Sequence, residues 1–207
     1  MATITLEQFE FYKNQFPEDE KIQSVTYEEL LQNTNGGEVD WKNFPEEHII
    51  QPTNLKAIKI TDCELSIGFV IFDAICLVVG GVAIRNSFNS ATARALVDAA
   101  APAMSAIEKS IARITAAASK GEVAKEIFYL FRTLWSADCL GAVLKAFKKS
   151  LKWYYALLYG VTAMATIAAA VLTEGAALVA AIVLELVTAT WFVLDSENAL
   201  EKCGIIK

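Results

Sequence analysis

Residues that could support catalysis are few in this chain of 207 residues. His48 is its single histidine, and no serine or cysteine stands at a spacing that marks a nucleophile. The chain has no Cys-x-x-Cys metal or redox motif and no glycine-rich phosphate loop. We therefore expect that the protein is not an enzyme and that it uses no cofactor and no metal.

A cationic and aromatic cluster that precedes a long apolar segment indicates a physical activity instead. The cluster consists of four lysines at helical spacing and three aromatic residues, namely Lys145, Lys148, Lys149, Lys152, Trp153, Tyr154 and Tyr155. Basic groups followed by an aromatic belt are the arrangement expected at an anionic lipid surface. The cluster therefore predicts contact with a membrane surface, and the alternative is a solvated helix face beside an aromatic anchor in the core.

The apolar segment at residues 154–194 has the pattern of a helical hairpin. Thr173, Glu174 and Gly175 join its two arms and form the predicted tip, and Glu185 is the single charged residue within the arms. An arm of about 19 residues extends ~28 Å as a helix, close to the thickness of the hydrocarbon core of a bilayer. Because apolar residues cover every face of both arms, the hairpin is predicted to be either the central pair of a helical core or a membrane-inserting element.

Two carboxylates, Asp73 and Glu185, interrupt otherwise apolar helices. A carboxylate in an apolar core needs a partner, and Arg85, Arg94 and Arg132 are the candidates. We expect both carboxylates to be buried and paired, and the alternative role is that of a titrating switch.

The four cysteines are Cys63, Cys76, Cys139 and Cys203, and we expect buried free thiols at these positions. The exception is the pair Cys63 and Cys203. One precedes the first apolar helix and the other follows the last, so antiparallel packing of those helices could bring the two thiols together.

Charge is distributed unevenly along the chain, whose formal net charge is −6. Residues 1–66 hold five lysines and thirteen acids, whereas the window from Arg113 to Lys152 holds eight basic residues and three acids. An acidic segment can dock on a basic window, but opposite surface charge is weak evidence for docking, since each exposed pair contributes little. The negative total and the absence of a recognised motif disfavour nucleic acid as a partner.

The pattern of elements predicts an all-α fold, a multi-helix bundle with a central apolar helical hairpin. Residues 1–61 form an acidic, irregular segment with short helices near 6–13 and 24–31, and its large apolar side chains indicate packing on the bundle. Residues 62–207 predict five to seven helices. Within them, an apolar stripe at spacings of three and four between Ala100 and Ala118 turns Glu108, Lys109 and Arg113 to solvent.

This plan resembles that of α-helical pore-forming toxins and pore-forming bacteriocins. The resemblance covers roughly residues 60–203 as a pattern and includes no diagnostic motif. It implies a water-soluble protein whose hairpin enters a lipid membrane after a trigger, as a pore former or a membrane-active effector. Two alternatives stay open. One is a soluble interaction or oligomerisation module that binds a protein partner or a second copy, and the other is a constitutive membrane protein with two or three spans, which Asp73 and Glu185 disfavour.

The first ten residues lack a basic region followed by an apolar core, so we expect no secretory signal peptide. We therefore expect synthesis in the cytoplasm, with any release by a non-classical route and membrane association after a trigger.

Overall fold

The computed structural model describes residues 2–39, 60–78, 85, 88–147, 151–175, 179–180, 182–183 and 191–206. Several residues singled out from the sequence lie outside these ranges, namely His48, Lys148, Lys149 and Glu185. Most of the predicted second arm of the hairpin lies outside them too.

The N-terminal segment contains three short helices, α1 (Leu6–Asn14), α2 (Glu20–Ser24) and α3 (Tyr27–Gln32). Each begins where a side-chain oxygen accepts a hydrogen bond from a backbone N–H of the first turn, and the capping residues are Thr5, Asp19 and Thr26. Strand β1 (Ala2–Thr3) pairs antiparallel with β2 (Glu38–Val39). The sequence prediction has two helices here and misses α2, which has only five residues and begins at the Asp19 cap.

Seven α-helices follow residue 61 in the described part of the chain, and the all-α bundle is confirmed. They are α4 (Asp62–Val78), α5 (Ser90–Ala100), α6 (Met104–Ala116), α7 (Lys120–Ser136), α8 (Leu140–Phe147), α9 (Trp153–Leu172) and α10 (Trp191–Lys202). Helix α10 continues past the predicted end of the hairpin at Leu194, because Phe192, Ser196 and Ala199 form one buried face.

Local residue chemistry sets most of the helix boundaries. Thr61 and Glu64 form reciprocal side-chain and backbone hydrogen bonds at the start of α4, which is a capping box. Pro102 lies in a 3₁₀ turn between α5 and α6, because proline lacks the N–H that a continuous helix needs. Gly121, predicted to separate two helices, lies inside the first turn of α7, since Ser119 caps that helix. That prediction is wrong.

Helix α9 packs against helices of the bundle and against helices of the N-terminal segment. Helix α4 packs on α5 and α10, α6 packs on α7 and α10, and α9 contacts α1, α3, α4, α7 and α8. The N-terminal segment contributes large side chains to the same hydrophobic core, and Phe9, Tyr12, Ile22 and Leu30 are fully buried there. The core therefore extends from the bundle into residues 2–39.

A disulfide between Cys63 and Cys203 joins the start of α4 to the end of α10. The pairing of Cys63 with Cys203, raised from the sequence as the exception to free thiols, is thus confirmed. The two cysteines meet because α4 and α10 pack side by side in opposite directions. Cys76 and Cys139 are buried free thiols, as predicted.

Candidate functional site

Helix α9 is, among the described residues, the single continuous helix that is long and apolar enough to cross a membrane. It has 20 residues, and more than half of its most apolar stretch is buried in the fold. Helices α7 and α8 meet the same criterion as a pair, with a bend of 109° between them. A buried core helix of a soluble protein can pass the same test of length and composition. Length and composition therefore make α9 a candidate for membrane insertion and do not distinguish it from a core helix.

The predicted hairpin tip forms a turn directly after α9. The Thr173 hydroxyl donates to the carbonyl of Ala169, and the backbone at Glu174 and Gly175 has φ angles of 54° and 83°. Glu174 is exposed, whereas Gly175 is buried against the ring of Phe128, where an added Cβ would lie 2.8 Å from a ring carbon. The turn is therefore exposed on one side and seated on α7 on the other.

The described members of the predicted membrane-contact cluster lie where α8 leads into α9. Lys145 is in α8, and Lys152 is the exposed residue that precedes α9. Trp153, Tyr154 and Tyr155 form the first turn of α9 and are half-buried. The basic and aromatic groups are thus close in space, at the N-terminal end of the most apolar helix.

Side chains of the N-terminal segment contact three members of this cluster. The Asp19 carboxylate lies 2.7 Å from the Lys145 ammonium nitrogen, and the Lys21 ammonium nitrogen lies 3.9 Å from the centre of the Trp153 ring. The Tyr154 hydroxyl donates a hydrogen bond to the Glu29 carboxylate. We call residues 2–39 the N-terminal cover, because these contacts and the buried side chains of its helices lie over the start of α9.

Aromatic packing fixes the N-terminal cover beneath these polar contacts. The Tyr12 ring is fully buried against Gly160 of α9, and burial raises the pKa of its phenol far above its usual value. The Phe11 ring stacks on Trp135 of α7, with 6.4 Å between ring centres. The contact between α1 and α9 therefore depends on shape as well as on charge.

Asp73 is fully buried in α4 and belongs to a second polar cluster. The Arg85 Nε lies 3.4 Å from an Asp73 oxygen, and the same guanidinium binds Asp195 of α10 and lies over the rings of Phe69 and Trp191. Burial raises the pKa of Asp73 to about 8. The positive charge of Arg85 lowers this pKa, but its effect is smaller than that of burial. Burial therefore shifts the Asp73 carboxyl toward its protonated form, against the attraction of Arg85.

The arginines proposed as partners for the buried carboxylates have separate roles. Arg85 pairs with Asp73, whereas Arg94 pairs with Glu64 and Asp98. Asp195, which the sequence analysis did not single out, also belongs to the Asp73 cluster because it binds Arg85. Its signal was its position one helical turn after Trp191.

The N-terminal partners of the basic cluster were also missed. Asp19, Lys21 and Glu29 belong to helices of five and six residues or to their caps, and such helices carry almost no periodic signal. Their signal in the sequence was the capping residue at the start of each helix. As for metal sites, no group of three His, Cys, Asp or Glu side chains in the described ranges is placed to hold an ion.

Together these features define an all-α bundle in which an acidic segment covers the basic and aromatic end of a long apolar helix. Comparison of the chain with family models, with curated proteins and with solved structures finds no match in any of the three.

Proposed function

We propose that this is a conditionally membrane-inserting α-helical protein, a pore former or membrane-active effector, in which α9 and the turn after it enter a bilayer once the N-terminal cover moves away. The observation that carries the proposal is that residues of the N-terminal cover engage Lys145, Trp153 and Tyr154. These groups are the ammonium, indole and phenol that an anionic lipid surface would bind.

Competition between the N-terminal cover and lipid makes insertion conditional. The Lys145 ammonium that binds Asp19 is the group that would meet a lipid phosphate, and the Tyr154 hydroxyl is already bonded to Glu29. The exposed ion pair contributes only ~0.2–1 kcal/mol, and one lysine near an anionic surface gains about 1 kcal/mol. The polar contacts can therefore be exchanged for lipid at little net cost.

Apolar burial opposes release of the N-terminal cover. Phe9, Tyr12, Ile22 and Leu30 are fully buried, and returning each such side chain to water costs about 1.5–3 kcal/mol. This cost exceeds what the polar exchange supplies, so a trigger is needed. We propose acidification as the trigger, and dye release at two pH values tests it.

Dye release from vesicles tests the proposal. We expect the full-length protein to stay in the supernatant without detergent and to release dye from phosphatidylglycerol vesicles more strongly near pH 4.5 than near pH 7. The variant Asp19→Asn with Glu29→Gln should move release toward higher pH, because asparagine still caps α2 while both negative charges are gone. Glu7→Gln with Glu10→Gln, two exposed acids of α1, is the matched control. No release between about pH 4 and pH 7 by wild type or variant, with the protein in the supernatant, would refute the proposal.

A second candidate is an interaction or oligomerisation module, and the exposed apolar tip of α9 favours it. Leu172 is 85% exposed beside the turn at Thr173, so a partner helix or a second copy could cover it. Such a module would remain in the supernatant with lipid present. Light scattering would show a mass larger than that of one chain, and the variant Leu172→Gln would lose this increase.

A constitutive membrane protein, the third candidate, would need detergent throughout.

A further inference from the structure

An open groove with a volume of about 560 Å³ lies between α6 and α7, away from the N-terminal cover. This volume is within the range of small-molecule sites. Polar side chains from both helices line it, namely Lys109, Ser110, Arg113, Tyr129, Arg132 and Thr133. Lys109 and Arg113 are four residues apart on α6, and Tyr129 and Thr133 are four apart on α7, so each helix presents one face to the groove.

Positive charge in the groove is largely uncompensated. Its lining residues include three cations and no carboxylate. Lys109 and Arg132 form no ion pair with any residue in the described ranges, and Arg113 reaches Glu126 only at 3.8 Å. Glu126 does not line the groove. Three cations from two helices with a single, distant counter-charge attract an anion.

The types of donor in the groove favour phosphate among anions. Arg113 and Arg132 project from different helices into the same groove, and planar guanidinium groups bind phosphate through paired hydrogen bonds. Hydroxyl groups lie beside them, including that of Ser110, which is only 5% exposed, and that of the exposed Tyr129. Charged and neutral donors from both helices therefore line the same open groove.

We propose that the α6–α7 groove binds the phosphate group of an anionic ligand, with Arg113 and Arg132 as the principal donors and Lys109 as a point charge. The ligand is either the headgroup of an anionic lipid or a water-soluble phosphate ester. Tyr129 of the lining directly follows Phe128, the residue of α7 on which Gly175 of the turn rests. Phosphate binding itself does not require that the hairpin insert.

Calorimetric titration of the full-length protein with glycerol phosphate and with pyrophosphate tests the soluble source. Sedimentation with phosphatidylcholine vesicles, with and without phosphatidylglycerol, tests the lipid source. The variant Lys109→Gln, Arg113→Gln, Arg132→Gln removes the three cations. The control Lys120→Gln, Lys125→Gln, Lys202→Gln removes three exposed lysines that do not line the groove, with the same change in net charge. All six side chains are exposed, and unchanged melting temperatures verify the fold.

We expect the groove variant to lose at least about tenfold in affinity and the control to stay within about twofold. A loss seen with the soluble esters assigns a soluble ligand, and a loss seen only with anionic vesicles assigns a lipid headgroup. Equal weakening in both variants, or no binding to any probe, would overturn the proposal and leave a solvated basic face. Dye release is a separate measurement, so failure of insertion and failure of phosphate binding can be told apart.

Discussion

Tyr12 of the N-terminal cover occupies the space that a side chain at Gly160 of α9 would need. An added Cβ at position 160 would lie 2.7 Å from the Tyr12 hydroxyl oxygen and 3.0 Å from its Cζ. Tyr12 is fully buried, so its ring has no free volume into which to retreat. Docking of α1 on α9 therefore depends on the missing side chain at one position in the middle of an apolar helix.

Enlarging that position should loosen the N-terminal cover. We expect Gly160→Leu to displace Tyr12 and to raise dye release from anionic vesicles at pH 7, with a cost of about 1–3 kcal/mol to the docked state. Hydrogen exchange at α1 amides measures the displacement. Gly121→Leu is the control, because an added Cβ there would meet only the Ser119 hydroxyl oxygen, at 3.9 Å. Unchanged α1 protection in Gly160→Leu would contradict the assigned role of Tyr12.

The contact between Asp19 and Lys145 should be measurable but weak. Lys145 is 53% exposed, and exposed ion pairs contribute ~0.2–1 kcal/mol. A double-mutant cycle with Asp19→Asn and Lys145→Gln, followed by urea unfolding, should give a coupling free energy in that range. The coupling should shrink in about 1 M salt, because screening is then strong. A coupling free energy of zero at low salt would show that this ion pair does not hold the N-terminal cover on α8.

Asp73 should make the protein less stable as pH rises from about 5 to 8. Its folded-state pKa is raised to about 8, so the folded protein holds a proton that the unfolded chain has lost across this window. The free energy of unfolding therefore falls with rising pH. Asp73→Asn keeps the neutral shape and should flatten this dependence in guanidinium unfolding at pH 5.5 and pH 8. Equal pH dependence in variant and wild type would show that the carboxylate is ionised in the fold.

Removing the bond between Cys63 and Cys203 should lower stability by about 2–5 kcal/mol, because the unfolded chain gains freedom. We expect Cys63→Ser with Cys203→Ser to melt at a lower temperature and to be insensitive to dithiothreitol, which should lower the melting temperature of the wild type. Cys76 and Cys139 are buried, so two thiols should react rapidly with a thiol reagent after reduction and none before it. Rapid reaction in the oxidised protein would contradict the pairing.

The basic cluster before α9 should contribute to lipid binding separately from the α6–α7 groove. Replacing Lys145, Lys148, Lys149 and Lys152 by Gln should weaken binding to anionic vesicles by ~1 kcal/mol per charge near the surface, and high salt should have a similar effect. Vesicle sedimentation measures this loss. Unchanged binding would assign these lysines to a solvated helix face.

Much of the bundle could be predicted because its helices carry their own signals. Ile107, Ile111 and Ile114 recur at helical spacing, and all three are buried in α6. The error at Gly121 has a local cause, since a serine cap two residues earlier had already started the helix. Sequence patterns therefore predict helices well and their first residues less well.

The contacts of the candidate site could not be predicted in the same way. Asp19 and Lys145 are far apart in the sequence, and their meeting depends on how α2 docks, which no local pattern encodes. The α6–α7 groove has the same origin. Lys109, Arg113 and Arg132 each lie on a polar helix face, and only the packing of two helices makes them neighbours.

The bond between Cys63 and Cys203 turns the chain between them into a covalent ring. A closed ring whose joining point stays on one side of a bilayer must cross that bilayer an even number of times. If α9 enters while the bond is intact, the ring must therefore supply a return crossing, as the proposed hairpin does. The N-terminal cover lies outside the ring, so it stays on the side from which α9 entered, together with the C-terminal residues after Cys203.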